Sequence, residues 1–254
     1  NPRLQFGDLT YDFLQRWDHF LSTVRKNSPN GKFGKHKNLR SMIRQAILKN
    51  YMSEADNPYR HFKFKAAVGN RQYLTVQEIE QVRNVELSEQ VTNIHHVRNM
   101  FLFSCFTGLR FNDVLSLTYG DIKPNPDRVE IMMQKTNKRL ILPLIPQAKT
   151  IIDEYGKRSI KAQGQTIFPH ICNTIVNRRI KDLMTVAKIS KQISFHCARH
   201  SFAVSHIHAR TSIYILKEML GHANVEDTQI YAKVLQQDLY ADMDKLSKLY
   251  SHAV

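Results

Sequence analysis

Helical periodicity runs through most of this chain and gives way in two places, a basic aromatic segment near residue 60 and a hairpin pattern near residue 135. Residues 8–26 place Leu9, Phe13, Trp17, Phe20, Leu21 and Val24 at helical spacing, the mark of an amphipathic helix. Ser28-Pro29-Asn30-Gly31 breaks it. A second helix is expected from about Lys37 to Met52, with Leu39, Met42, Ile43, Ala46 and Ile47 inward and Asn57-Pro58 ending the region. In residues 57–70 the alternation Phe62-Lys63-Phe64-Lys65 reads as a short strand or an extended linker. A domain boundary is expected near 66–74, dividing a helical domain, 1–70, from a larger one, 71–254.

The larger part opens with Thr75-Val76-Gln77-Glu78, a capping box that starts a helix. An apolar helix follows over 92–106, ended by Gly108, and then a short one over 112–117. Two apolar or alternating runs, 129–133 and 139–144, read as a β-hairpin, although the turn between them contains no glycine. Further helices are expected over 146–155, 173–187, 196–208, 212–220, 226–235 and 239–250. The fold class is therefore mainly α with a small antiparallel β-sheet, an α+β arrangement. At 254 residues the chain suits two domains and can bury a proper core.

Charge narrows the function. The net charge is +15, which implies a polyanionic partner, nucleic acid first among them. Residues 1–70 hold 13 Lys/Arg against 5 Asp/Glu, so positive charge is densest there. Lys37, Arg40, Arg44 and Lys49 give the second helix a face of one sign. A charged face is ordinarily just solvated, but this uniformity favours contact with DNA phosphates. Cys105, Cys172 and Cys197 show neither disulfide nor zinc spacing, which fits a reducing, intracellular setting. No apolar run approaches membrane-span length and no signal peptide is visible. A start at Asn1-Pro2 instead of Met reads as a fragment lacking an amino-terminal piece.

Several residues form an ordered series. Arg110, in Thr107-Gly108-Leu109-Arg110, follows a helix-ending glycine and opens a short helix; guanidinium groups and helix amino termini both bind phosphate oxygens. Lys135 sits in the hairpin turn, where a lysine can protonate a leaving oxygen; Lys138 and Arg139 are close competitors for that role and are expected to contact DNA. His196 and Arg199, three apart, share one helix face. His200 points elsewhere, inwards. His222 follows a glycine in Leu220-Gly221-His222 and can donate to a phosphate or merely complement a helix dipole. Tyr231 is one of 10 tyrosines, and such residues ordinarily pack at a core edge. Each position alone also reads as an ordinary surface or packing residue. A metal site is not supported, because no HExxH and no carboxylate at ligand spacing is present.

Taken in order, Thr-Gly-Leu-Arg, a hairpin lysine, His-x-x-Arg-His, Leu-Gly-His and a tyrosine, residues 75–235 resemble the tyrosine recombinases, the lambda-integrase-type site-specific DNA recombinases. Phe195-His196-Cys197-Ala198-Arg199-His200-Ser201-Phe202-Ala203 is similar to integrases of Bacteroidetes mobile elements. The layout of residues 8–60 looks like that family's core-binding domain. The resemblance implies that Tyr231 attacks the scissile phosphate and forms a 3′-phosphotyrosyl link. Arg110 and Arg199 would clamp the non-bridging oxygens, and Lys135 would protonate the 5′-oxygen. His196 would assist proton transfer at the tyrosine, His222 would bond the phosphate, and Asp113 would orient the arginines. No cofactor, metal or ATP is implied. The implied partner is double-stranded DNA carrying a specific recombination site, bound by a monomer that forms a homotetramer on DNA, in the bacterial cytoplasm at the nucleoid. Leu239, Met243, Leu246 and Leu249 on the last helix would pack either on a neighbour or on their own domain. Competing readings are a type IB topoisomerase-like enzyme, a catalytically silent DNA-binding relative and, third, a metal nuclease.

Overall fold

The computed structural model describes residues 4–67, 72–88, 91–156, 163–232 and 243. The chain divides into two compact units, Asn1–Asn70 and Arg71–Val254.

In the first unit, helix α1 (Tyr11–Thr23) starts at Thr10, whose side chain accepts from the Phe13 N–H. Its buried stripe is Leu14 and Leu21, with Phe13 and Trp17 beside them. The expected face was rotated: Phe20 and Val24 are exposed. Helix α2 (Pro29–Leu48) begins about eight residues earlier than its apolar pattern indicates. Pro29 occupies the first turn, where its missing N–H costs nothing and its fixed φ suits the helix. Ser28 caps it by accepting from Gly31 N–H at 3.1 Å. Residues 28–31 therefore start α2, whereas α1 has already ended at Thr23. Phe62 and Phe64 lie in no strand; they pack with Leu9, Leu14, Ile43 and Tyr59. Against these rings, His36 is buried between the Tyr59 hydroxyl at 3.0 Å and Asp18 at 3.1 Å, while Lys32 holds the other Asp18 oxygen at 2.9 Å.

The second unit is built around helix α4 (Ile94–Thr107), which is buried on nearly every side. It packs against α3 (Val76–Asn84), α6 (Pro146–Gly156), α7 (Asn173–Val186) and α8 (Phe195–His208). The Thr75–Glu78 capping box forms, with both reciprocal bonds present. Between α4 and α6 come α5 (Phe111–Leu115) and a three-stranded antiparallel sheet, β1 (Ile122–Lys123), β2 (Arg128–Met132) and β3 (Arg139–Pro143). In the register Val129 faces Leu142 and Ile131 faces Leu140, which sends Val129, Leu140 and Leu142 into the core. Asn137 supplies the positive φ, 49°, that the turn lacks a glycine to provide. Met133 N–H donates to Lys138 and Met133 C=O accepts from Asn137, both at 2.9 Å, closing the turn. Helices α9 (Ile213–Leu220) and α10 (Glu226–Ala232) pack on α8 and on each other. Apart from Met243, which is helical and exposed, the expected helix over 239–250 and the end of the one over 226–235 lie outside the described residues.

Two glycines hold the site's framework. Gly108 ends α4 at φ 67°, and a Cβ there would sit 2.6 Å from Phe202 Cδ1. Gly221 ends α9 at φ 58°, and a Cβ there would collide with the Met133 thioether. Gly108→Ala combines a left-handed backbone with overpacking against a core ring. It should destabilise the protein by about 2–4 kcal/mol, seen as a clear fall in Tm; an unchanged melt would contradict this packing.

Candidate active site

The residues singled out in the sequence come from five different elements, and the fold brings most of them to one cleft. Arg110 is the N-cap residue of α5. Lys135 sits in the β2–β3 turn, and His196 and Arg199 lie on α8. Together with Asp113 and Gln134 they line a cleft of about 650 Å³. Asn173, Asn177 and Ser194 also line it; none of these three stands out in sequence. Asn177 Oδ1 accepts from Phe195 N–H at 2.9 Å and so fixes the start of α8.

The two arginines are held differently. Arg199 is only 2% exposed. It donates to the carbonyl of Gly108 at 2.7 Å and to that of Leu220, joining the ends of α4 and α9. Burial, and then the positive charge of Arg110, push its pKa down to about 10, so it stays cationic at neutral pH. Two cations kept close at one cleft form a receptor for a divided negative charge. Arg110 is partly exposed. Its Nη1 lies 3.4 Å from the Met133 sulfur and 4.0 Å from Asp113 Oδ2.

Asp113 is buried. Its Oδ1 accepts from Gln134 N–H at 3.1 Å, while Oδ2 takes no hydrogen bond and faces Arg110. One carboxylate therefore ties the arginine to the backbone beside Lys135. Lys135 itself is exposed at the mouth of the turn. Of its competitors, Arg139 is held by Glu130 at 3.0 Å and Lys138 is exposed. Arg139 and Arg128 together hold the Glu130 carboxyl below the usual range.

His222 and Tyr231 do not line this cleft. His222 follows the left-handed Gly221, and its Nδ1 lies 2.8 Å from the buried Thr228 hydroxyl on α10. Tyr231, on α10, is 5% exposed. His200 lies against its hydroxyl, with Nδ1 at 2.7 Å. His200 does point inwards, as its place on α8 implies, and it ends on the tyrosine. His196 meets His200 edge to face, with ring centres 4.5 Å apart. The sequence signal for His200 is its position four after His196, among Ala198, Phe202 and Ala203, on the buried side of the helix.

In the first unit, Lys37, Arg40, Arg44 and Lys49 are all exposed. Lys37, Arg40 and Arg44 border a shallow recess with Ser41, Glu54 and Asn57. Among the described residues no group of three or more His, Cys, Asp or Glu could hold a metal, and no helix is long and apolar enough to cross a membrane.

Comparison with known proteins gives a consistent picture. The Phage integrase family pattern matches residues 72–238, and the Phage integrase SAM-like domain pattern matches residues 1–66. The tyrosine recombinase XerD of Halalkalibacterium halodurans is 29% identical over 213 residues, covering 78% of this chain and 70% of that one. A tyrosine recombinase of Thermosipho africanus is 32% identical over 146 residues, 56% of this chain and 50% of its own. The chain thus spans 70% of the first relative and half of the second. Among solved structures, a lambda integrase (75-356) dimer bound to a COC′ core site superposes with a TM-score of 0.71 at 17% identity, covering 91% of this chain and 82% of that one. XerH site-specific recombinase bound to palindromic difH substrate, in a post-cleavage complex, gives 0.69 at 18% identity, covering 93% and 72%. At these identities the superpositions establish the fold.

Proposed function

Because the chain belongs to the phage integrase family of tyrosine recombinases, we propose that it cuts and rejoins DNA strands at a specific site through a covalent phosphotyrosine. The observation that carries this reading is the single cleft lined by Arg110, Lys135, His196 and Arg199, with a buried tyrosine hydroxyl on the neighbouring α10.

Phosphoryl transfer depends mainly on positioning and on stabilising charge at the phosphorus. Arg199, locked by two backbone carbonyls, and Arg110, braced by Asp113, would bind the non-bridging oxygens and stabilise the charge that grows on them. Tyr231 Oη would form the bond to phosphorus as the bond to the 5′-oxygen breaks, and Lys135 would give that oxygen its proton. His196, expected from the resemblance to assist proton transfer at the tyrosine, lines the cleft with the arginines and on this reading would support the phosphate from α8, as His222 would from the turn after α9. The reverse attack, by the 5′-hydroxyl of a second strand, completes exchange. Bond energy is retained in the phosphotyrosine, so the scheme requires neither ATP nor metal.

The partner is double-stranded DNA. The exposed Lys37, Arg40 and Arg44 of α2, and Lys49 just past its end, would track the backbone, as Lys138 and Arg139 would beside the cleft. The DNA-bound neighbours support this reading. A domain of residues 1–70 would act in core binding and one of residues 71–254 in catalysis. Exchange between two duplexes calls for four protomers on DNA, in the bacterial cytoplasm, at an integration or excision event of a mobile element.

The test is the chemistry of the cut ends, read in chelator on DNA from the chain's own genetic neighbourhood. Nicks with a free 5′-hydroxyl and a protein-blocked 3′ end are expected. Metal-dependent nicks with free 3′-hydroxyls would overturn the proposal.

A further inference from the structure

We propose that His200 is the general base for the nucleophile, a role that rests on the recombinase reading above. Four observations carry it. The His200 Nδ1 lies 2.7 Å from the Tyr231 hydroxyl, within the range of a short O–H···N bond. Both groups are buried, at 6% and 5% exposed, so the proton on that oxygen is shielded from bulk water. The contact joins α8, which carries His196 and Arg199, to α10, which carries the tyrosine. His196, by contrast, lines the cleft with the two arginines, which suits it to the phosphate.

The step balances. The Tyr231 O–H bond breaks, its proton passes to His200 Nδ1, and the electron pair left on oxygen forms the O–P bond. The P–O5′ bond breaks and that oxygen takes its proton elsewhere, from Lys135 in the scheme above. On rejoining, the His200 imidazolium returns its proton to the departing tyrosine oxygen. The base thus acts on both halves of exchange and leaves the leaving group untouched.

That separation supplies the test. Cleavage would be timed on two nicked DNA substrates, one with the ordinary 5′-oxygen and one with a 5′-bridging sulfur, which departs without a proton. His200→Asn keeps a polar partner for the tyrosine but cannot take its proton at neutral pH. It should cleave both substrates about 10²-fold more slowly than the unmodified protein, with DNA affinity and Tm retained. Lys135→Ala should be slow on oxygen and restored on sulfur. Should His200→Asn fail to fold, His200→Gln repeats the measurement. Cleavage by the His200 variant at the normal rate, or its rescue by sulfur, would overturn the assignment. Faster cleavage would overturn it too, because the bond would then restrain a resting nucleophile. If the unmodified protein cleaves neither substrate, the recombinase reading fails instead.

Discussion

Tyr231→Phe is expected to abolish strand cleavage while leaving the fold and DNA affinity in place. The substitution removes one oxygen atom and keeps the ring, which packs with Phe202, Val204, Leu216 and Leu220. The hydrogen bond to His200 between buried groups goes with that oxygen, worth about 1 kcal/mol. What is lost chemically is the nucleophile of the proposed reaction. Thr228, the nearest hydroxyl-bearing residue on α10, already engages His222 at 2.8 Å. The measurement pairs a melt and a binding isotherm with a cleavage time course. Residual cleavage by Tyr231→Phe at a measurable fraction of the normal rate would show that another group attacks.

Arg199→Ala is expected to lose both rate and stability. A cation that stabilises charge on a transferring phosphoryl group contributes on the order of 10³-fold or more, so cleavage should fall by at least that factor. The stability loss has a separate origin. Arg199 bridges the Gly108 and Leu220 carbonyls, and its removal leaves buried acceptors unpartnered at about 1–3 kcal/mol each. Arg199→Lys should rescue little. An ammonium lacks the planar fork that reaches two carbonyls while presenting further donors to a phosphate. Arg110→Ala is the informative contrast. Arg110 is more exposed, lies 3.4 Å from the Met133 sulfur and reaches Asp113 at 4.0 Å, and donates to no backbone carbonyl among the hydrogen bonds of the described residues. It should lose rate with little change in Tm.

Much of the site was legible from sequence because its residues sit at punctuation marks. Gly108 and Gly221 end helices, and the residues just beyond them, Arg110 and His222, are placed by those ends. His196 and Arg199 are three apart on one helix, so their shared face followed from periodicity alone. The hairpin was legible through its two apolar runs, and Asn137 explains how its turn closes without glycine.

The less legible parts depend on packing between distant segments. The contact of His200 with Tyr231 joins positions thirty-one apart. Asp113 reaches the Gln134 N–H across twenty-one residues, and Met133 meets Arg110 and Gly221 from two different elements. Residue type gives no hint of such pairings. The start of α2 failed for a local reason: Pro29, Gly31 and Gly34 read as breakers, yet Pro29 is at the one helical turn that accepts it and Ser28 caps the chain there. Along α1, Phe20 and Val24 continue the apolar pattern onto an exposed side, while Leu14 carries the burial.

The most direct test of the account is to trap the covalent intermediate and find the attached residue. The protein would be incubated in chelator with nicked DNA that loses the strand bearing the 5′-hydroxyl, so that rejoining cannot follow. Nuclease and protease digestion would then leave a peptide carrying a nucleotide remnant. The account predicts that mass spectrometry places this remnant on Tyr231. A remnant on any other residue, or no adduct on DNA that the protein demonstrably binds and nicks, would contradict it.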